Sequence, residues 1–514
     1  MIETNIKADA LPDNPEELKK IIIDLKFDIF KLNETIKIYQ FKLFGRKSEN
    51  LSKEEQPGLF NEAEKELKDI KNKTHLEKIK ITYERIKKPG KRQFPSDLPR
   101  VEKVIDLSDE EKRCKCCGKE LTKFGEEVSE KLEIIPQQVY VLKYIRPKYT
   151  CKNCKDESVI KTAELPAQLI PQGIATASST AYVLKTKFVD AMPYYRQEKM
   201  FSSLGIELSR QMMSNWQIFI YYNYLVRMID LMKRDLKKSY LIGVDETPVQ
   251  VIVEEGKPPD SKSYMWVYMG YQEGKKIILY DYEPDRKGIN PKEYLEGYEG
   301  YLQTDGYDGY NLTVKTQNIK HLACWAHVRR KFFNCFKALG KNNYPESKTI
   351  LDMIQGLYKV EKNIKTEKLS PEKIFERRRK ESKPIIEKIK IWLLENVLKY
   401  PPKTDMGEAI NYTLKLWNNL VLYFEDGRLP IDNNLVENAI RPFVIGRKNW
   451  LFSYTVNGAK SSAAIYSLVE TVKVNGKESY KYLKDLFEKL PFAKSDEDYE
   501  KLLPYHDENL FLFT

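Results

Sequence analysis

The chain has 514 residues, which is enough for several domains and a large hydrophobic core. Its 41% hydrophobic and 12% aromatic residues are typical of globular proteins and exclude a largely disordered chain. Lysine and arginine number 87 against 75 acidic residues, a net charge of +12. An excess of this size indicates a nucleic-acid partner only where the basic residues cluster.

Two features of the sequence indicate its compartment. No apolar run is long enough to cross a membrane, and the N-terminus lacks the charged-then-apolar order of a secretory signal. Four of the seven cysteines stand in two close pairs, which favours metal binding in a reducing compartment over disulfides. We therefore expect a cytoplasmic protein without a membrane partner.

The first predicted element is a helix with a heptad repeat. Two rows of residues recur at seven-residue spacing, Leu18, Leu25, Leu32 and Tyr39 in one and Ile22, Ile29, Ile36 and Leu43 in the other. Four heptads with charged flanks predict a coiled coil within 1–49, and hence self-association as a dimer. An amphipathic helix packed on its own domain is the alternative.

A charged linker follows over 50–100 and ends in a basic run broken by proline and glycine. Such a run cannot be helical, so Lys88, Lys91 and Arg92 are candidate contacts to DNA phosphates or a minor groove. A solvated tether is the other interpretation.

Paired cysteines then predict a zinc ribbon over 101–165. Each pair puts two thiolates on one tight turn, and two such turns complete a tetrahedral shell for one structural Zn²⁺. The predicted ligands are Cys114, Cys117, Cys151 and Cys154, with Cys116 as a possible competitor. Zinc ribbons serve DNA binding and scaffolding alike, so this element does not identify the function.

A helical region over 166–238 contains a helix-turn-helix pattern. A helix at 195–201 leads through Gly205 into a second helix carrying Arg210 and Gln211. These two side chains are candidate DNA contacts, although helical hairpins with a glycine turn also occur without DNA.

The segment 239–340 has the pattern of a mixed sheet. Strands are predicted at 239–253, 262–271, 275–284, 300–304 and 321–325, with helices at 291–298 and 327–339. This order is that of a ribonuclease-H-like fold, in which the first and fourth strands are neighbours. We therefore expect an α+β multidomain protein with a ribonuclease-H-like mixed α/β core.

Two acids lie at positions that this fold would bring together. Asp245 is the acid of an apolar strand, and Asp305 ends the fourth strand. A buried Asp is costly unless it is paired or bound to a metal, and two at adjacent strand ends suit Mg²⁺. Cys324 and His327 are interpreted as packing and hydrogen-bonding residues rather than as a second zinc site.

Past a helical insertion at 341–428, the segment 429–476 brings a third acid. Asp432 is a predicted N-cap, Glu437 follows on a helical turn, and Pro442 should end or kink the helix. A basic and aromatic strip comes next, with Arg447, Lys448, Trp450 and Phe452. Glu437 is either a metal-bound acid facing a polyanion or a surface partner of Arg441. The remaining 477–514 is a helical tail.

Four motifs carry a resemblance to a known family: GVDETPV, TDGYDGY, CWAHVRRKF and IDNNLVENAIRPFVIGRKNWLF. Together they closely resemble the DDE-type transposases of bacterial insertion-sequence family sixty-six. The heptad helix, the basic stretch, the paired cysteines and PYYRQEKMFSSLGIELSR have counterparts there in the same order, so the resemblance covers nearly the whole chain. It implies that Asp245, Asp305 and Glu437 are the catalytic carboxylates.

The resemblance also implies a reaction and its partners. The protein would bind the inverted ends of an insertion sequence in the bacterial nucleoid and, with two Mg²⁺ ions, cut and join DNA strands. The partners would be the element ends, target DNA and accessory proteins of the same element. We expect phosphate or base contacts from Arg329, Arg330, Arg441, Arg447, Lys448 and Trp450.

Two other functions stay open on the residues alone. A nuclease or junction resolvase would use the same carboxylates, and a DNA-binding regulator would have an inert acidic core. For the basic residues the alternative is ordinary surface charge, and for Trp450 it is a place in the core.

Overall fold

The computed structural model describes residues 139–150, 160–316, 318–339 and 345–506, with a few separate positions nearer the N-terminus. The heptad positions, the basic run and the four predicted zinc ligands lie outside the described residues. The described residues fall into two compact units, divided between Gln168 and Leu169.

The smaller unit contains a short antiparallel ribbon, β1 (Lys148–Thr150) and β2 (Ile160–Thr162). Arg146 supports it by donating from Nη1 to the carbonyl of Ala163 at 2.9 Å. In sequence, the two strands flank the second predicted cysteine pair.

The larger unit opens with helices α1 (Ala177–Phe188), α2 (Tyr194–Ser203) and α3 (Arg210–Ile220). The turn between α2 and α3 contains Gly205 at φ +76°, a conformation that glycine adopts without steric cost. Ser209 caps α3 by accepting from the backbone N–H of Met212. The predicted helix, glycine turn and second helix are therefore present.

A π-helical turn at Tyr221–Leu225 joins α3 to α4 (Val226–Leu236). The central sheet follows, and its strands are β3 (Leu241–Val253), β4 (Lys262–Gln272), β5 (Lys275–Glu283), β6 (Gly300–Thr304) and β7 (Ile319–Ala323). Their order is β5-β4-β3-β6-β7, with β3 antiparallel to β4 and parallel to β6. The predicted contact between the first and fourth strands is confirmed, and the mixed five-stranded sheet is consistent with a ribonuclease-H-like core.

Helices fill the rest of the larger unit. They are α5 (Ile289–Tyr294), α6 (Tyr310–Thr316), α7 (Trp325–Leu339), α8 (Pro345–Glu367), α9 (Pro371–Arg377), α10 (Lys383–Asn396), α11 (Asp405–Lys415), α12 (Trp417–Val421), α13 (Asn434–Trp450), α14 (Val456–Val474), α15 (Ser479–Lys489) and α16 (Asp496–Lys501). A short strand, β8 (Ser453–Thr455), pairs with the end of β3. None of the helices described is long and apolar enough to cross a membrane.

The edge of the sheet at β5 is covered by helix α14 through a ladder of polar side chains. Ser467 accepts from the backbone N–H of Tyr280 at 2.8 Å, and Thr471 accepts from that of Ile278 at 3.0 Å. Side chains four residues apart on α14 thus bind backbone groups two residues apart on β5. This pairing satisfies backbone groups that an open edge would expose.

The expectation that Pro442 ends the helix bearing Glu437 is wrong, because α13 runs through it for 17 residues. The alternative expectation, a kink at Pro442, stays a prediction. The helix begins at Asn434, where Asp432 Oδ1 accepts from the backbone N–H at 3.2 Å. Its buried face includes Val436, Ala439, Ile440 and Phe443. Packing of this face against the sheet outweighs the hydrogen bond that proline removes.

Gly243 lets α13 approach β3 closely. A Cβ built at this position would overlap Val436 Cγ2 and would lie 2.9 Å from Asn433 Oδ1. Both neighbours are at the start of the helix that carries Glu437, so the missing side chain sets how near this helix comes to the sheet.

We therefore expect Gly243→Ala to destabilise the protein by roughly 1–3 kcal/mol, the usual cost of overpacking a core. The measurement is chemical denaturation, and Gly458→Ala is the matched control. A Cβ at Gly458 meets its nearest atom, Thr455 Oγ1, at an ordinary 3.4 Å. Equal midpoints for the two variants would contradict this account of Gly243.

Candidate active site

Asp245 and Asp305 are opposite each other when the pairing of β3 with β6 is extended. In the parallel pair β3–β6, Leu241 is opposite Tyr301 and Gly243 is opposite Gln303. The same offset in residue number relates Asp245 to Asp305, which directly follows β6. Because neighbouring strands are about 4.8 Å apart, continuing this register brings the two acids side by side.

The turn after β6 holds Asp305 in place. The backbone N–H of Tyr307 donates to Asp305 Oδ1 at 2.9 Å, and the hydroxyl of Tyr412 donates to the Asp305 carbonyl at 2.5 Å. Gly306 adopts φ +86°, and a Cβ there would lie 2.7 Å from Leu416 Cδ1. The helical insertion, through Tyr412 and Leu416, therefore packs directly on this turn.

Glu437 is on the first turn of α13, which is anchored to β3 and α7. Asn433 donates from Nδ2 to the carbonyl of Val244 and from its backbone N–H to Cys324 Sγ, each at 3.2 Å. The Glu437 side chain is 19% exposed, with Arg330 Nη2 at 3.3 Å and His327 Nε2 at 3.8 Å. Its ion pair is with Arg330 rather than with Arg441, which is exposed.

The other two acids act on the charge of Asp245. Burial, followed by the negative charges of Glu246, Asp305 and Glu437, raises the pKa of Asp245 to about 8. One opposing contribution is the backbone N–H of Glu246, which donates to Asp245 Oδ1 at 2.9 Å. Carboxylates collected in this way repel one another unless a cation or protons neutralise them.

The three acids are nevertheless not closed around a single point. Within the described part of the chain, the group of three ligand residues with donor atoms inside 4.8 Å is Cys324, His327 and Glu437. Ligands of one Mg²⁺ lie at most about 4.2 Å apart, whereas two ions in one site are about 3.5–4 Å apart. Carboxylates that bind two ions can therefore lie farther apart than carboxylates that all bind one ion.

The donor set fits a hard divalent cation. Glu437 Oε1 is buried without a hydrogen-bond partner, and Asp245 is a mostly buried carboxylate that the negative charges of its neighbours repel. Both features are costly without a cation, and carboxylate oxygen is the ligand that Mg²⁺ prefers. The thiol of Cys324 is buried, which raises its pKa, and this makes it a poor ligand in the uncharged form.

Glu246 and Arg286 belong to the same site and were missed by the sequence analysis. Glu246 is 1% exposed and accepts hydrogen bonds from Arg286 Nε at 2.6 Å and from the hydroxyl of Tyr310. The negative charge of Glu246 raises the pKa of Asp245, and the negative charge of Asp305 raises the pKa of Glu246. The sequence did contain a signal for this pair. Glu246 is a second acid beside Asp245 in an apolar strand, and Arg286 is a cation just after the third strand of the sheet.

The predicted DNA contacts are scattered over the larger unit. Arg210 and Gln211 are exposed on α3, and Arg441 and Lys448 are exposed on α13, whereas Arg329 is half-buried on α7. Lys88, Lys91 and Arg92 lie outside the described residues. DNA contact at all of these positions stays a prediction.

Two of those residues have partners within the protein. Arg447 Nη1 donates to Thr247 Oγ1 at 2.8 Å and to the carbonyl of Pro248. The indole of Trp450 is half-buried and packs edge-on against Phe443, with ring centroids 5.4 Å apart. Arg441 and Lys448 are exposed, which makes them the better candidates for DNA contact.

Known protein families match four parts of the chain. Residues 172–461 match the Transposase IS66 family, and 111–155 match the zinc-finger binding domain of transposase IS66. Residues 467–505 match the IS66 C-terminal element, and 31–102 match a family described as Transposase C of IS166 homeodomain. The first match contains all three acids, and the second contains the four paired cysteines.

Similar proteins occur in Sinorhizobium fredii (strain NBRC 101917 / NGR234). Uncharacterized protein y4jD is 26% identical over 98% of both chains. Uncharacterized protein y4qI is 29% identical over 93% of this chain and 89% of its own. Their names give no activity, but the family match over 172–461 covers more than half of the residues and the whole acidic site. The chain therefore belongs to the Transposase IS66 family, a family of DDE transposases of mobile elements.

Proposed function

We propose that this protein binds the inverted ends of an insertion sequence and catalyses Mg²⁺-dependent strand cleavage and strand transfer. The observation that supports the proposal is the effect of the Asp305 and Glu437 charges on Asp245, together with a β3–β6 register that would pair Asp245 with Asp305 if it continued. Family membership supports DNA transposition in general. The carboxylates support phosphoryl transfer as its chemistry.

In this proposal Asp245, Asp305 and Glu437 hold the catalytic ions. Two Mg²⁺ ions in such a site activate a water or a DNA 3′-hydroxyl and stabilise the leaving oxygen. The protein's part is to fix the acids on rigid elements, β3, the turn after β6 and the first turn of α13. Arg330, 51% exposed and beside Glu437, is placed to receive a phosphate once a cation neutralises its partner.

A supercoiled-plasmid assay with Mg²⁺ and the DNA flanking the coding sequence tests the proposal. Joining of element ends to a target is the expected result. Cutting without joining would indicate a nuclease or resolvase, and binding alone would indicate a regulator with an inert core. Sequencing of the flanks for matching inverted ends identifies the substrate in the same experiment.

We further propose that the protein works as a dimer on two DNA ends. The heptad repeat supports self-association, and the α2–α3 helical pair with exposed Arg210 and Gln211 supports end recognition. Trp450, Arg329, Arg441, Arg447 and Lys448 would contact DNA nearer the acids, and Lys88, Lys91 and Arg92 would add phosphate contacts. Accessory proteins of the same element would complete the complex.

Zinc would have a structural role away from the acids. We expect one Zn²⁺ per chain, held by Cys114, Cys117, Cys151 and Cys154, because two thiolate pairs satisfy its tetrahedral preference. Elemental analysis should show that Cys114→Ser or Cys151→Ser loses the zinc. Cys116→Ser, the change of an exposed cysteine between the two members of the first pair, is the control and should keep it. Loss of zinc from the control would assign Cys116 to the site instead.

A further inference from the structure

Arg286 lies at the rim of the acidic site, in the connection between β5 and α5. Its side chain is 40% exposed, although its partner Glu246 is almost fully buried. Burial lowers the pKa of Arg286, but the charges of Glu246 and of Asp305 raise it overall. Arg286 is therefore a cation with one side inside the acidic site and the other towards solvent.

Three contacts hold this guanidinium rigidly. Nε and Nη2 of Arg286 both contact Glu246 Oε1. The other carboxylate oxygen of Glu246 accepts a hydrogen bond from the hydroxyl of Tyr310. The guanidinium carbon lies 4.0 Å from the centroid of the Tyr307 ring, and the Tyr307 hydroxyl donates to the Arg286 carbonyl at 3.1 Å. Because Tyr307 also binds Asp305 through its backbone, the cation and this acid are positioned by one turn.

The remaining edge of the guanidinium is free to bind. Among the described residues Nη1 has no hydrogen-bond partner, so its two N–H groups are available. An arginine whose fork is already ordered loses little side-chain entropy when it binds a phosphate. If Arg286 served only to neutralise Glu246, its guanidinium would not need an edge exposed to solvent.

We propose that Arg286 is a phosphate-binding residue, which holds a DNA phosphate beside the three catalytic carboxylates through Nη1. Glu246, Tyr307 and Tyr310 are its positioning residues. The proposal rests on the proposed function and adds a substrate contact to it. It also explains why a carboxylate that takes no part among the three acids is buried next to Asp245.

Two variants separate a DNA contact from simple charge neutralisation. Arg286→Gln removes the cation and leaves Glu246 buried and unpaired, whereas Arg286→Gln combined with Glu246→Gln removes both charges. If Arg286 only neutralises Glu246, the double variant regains wild-type binding and cleavage. If Arg286 binds phosphate, the double variant stays deficient in both.

The first readout is equilibrium binding of a short duplex of arbitrary sequence, without Mg²⁺, over a range of salt concentrations. Each phosphate contact contributes about 0.9 to the slope of log K against log salt, so both variants should lose about one unit of slope. The second readout is Mg²⁺-dependent cleavage of an element end, which should fall about a hundredfold, as when one preorganised donor is removed. A thermal unfolding curve confirms that each variant is folded.

Arg428→Gln is the matched control. Arg428 is 49% exposed, pairs with Asp426 at 2.6 Å and has its guanidinium carbon 4.6 Å from the centroid of the Tyr240 ring. Tyr240 directly precedes β3 and is five residues before Asp245, so this similar arginine lies about 16 Å along the strand from Asp245. It should keep the wild-type slope and cleavage rate.

The outcomes distinguish the two proposals. A wild-type slope for Arg286→Gln, or recovery of binding and cleavage in the double variant, would overturn the role of Arg286 while leaving the transposase function intact. Failure of the wild-type protein to bind duplex DNA or to cleave an element end would overturn the proposed function itself.

Discussion

Asp245→Asn and Glu437→Gln are each expected to reduce strand cleavage and strand transfer by about a thousandfold or more while leaving binding of the element end intact. Each change removes a charged oxygen ligand, and metal ions supply several kcal/mol of transition-state stabilisation in such reactions, with 1.36 kcal/mol for each tenfold in rate. The measurements are cleavage and joining on a plasmid substrate and, separately, a binding titration with end DNA.

Asp308→Asn provides the matched control. Asp308 is three residues after Asp305, and its side chain is 67% exposed and paired with Lys415 at 2.7 Å. Loss of this carboxylate should leave both steps of the reaction near the wild-type rate. Equal loss of DNA binding and cleavage in a folded Asp245 or Glu437 variant would count against a catalytic role for that residue.

Much of the sheet was predictable because its strands are continuous apolar runs. The pattern placed β3 to β6 within two residues of their observed ends and paired the first strand with the fourth. The fifth strand was predicted at 321–325 but is Ile319–Ala323, because Trp325 already begins α7. Helix α6 was not predicted, since its seven residues are too short to show a helical period.

Other features of the site depend on tertiary contacts that a linear pattern does not contain. Glu437 pairs with Arg330, 107 positions away, rather than with the residue four positions along its own helix. Glu246 on β3 binds Arg286 from the connection after β5 and Tyr310 from α6, so the three residues come from separate parts of the chain. Pro442 carries a strong local signal for a helix end, but the buried face on both sides of it decides the outcome.

Asp245, which we propose as a catalytic acid, should destabilise the metal-free protein. In the folded state the pKa of Asp245 is raised to about 8, mainly by burial, whereas in the unfolded chain it is about 3.9. Between these values the folded state holds a proton that the unfolded state has lost, so the free energy of unfolding falls as pH rises. A shift of this size corresponds to an order of a few kcal/mol, lost progressively from about pH 4 to about pH 8.

Asp245→Asn removes that ionisation and can still accept the backbone hydrogen bond from Glu246, which is 2.9 Å long in the wild type. In EDTA at pH 8 the variant should therefore be more stable than the wild type by a few kcal/mol, and at pH 4 the two should be nearly equal. Denaturant titrations at several pH values measure the difference. Parallel pH profiles for the two proteins would show that Asp245 ionises as freely in the folded as in the unfolded state.

Mg²⁺ should reverse this order. A cation at the acids binds the ionised carboxylate, so it stabilises the wild type, and its affinity should rise with pH up to about 8 as the proton on Asp245 is displaced. Asp245→Asn should show much less stabilisation by Mg²⁺ at any pH, although it is the more stable protein in EDTA. Greater stability together with lost metal response in one variant would separate a metal ligand from a structural carboxylate, because removing a structural carboxylate would lower stability under both conditions.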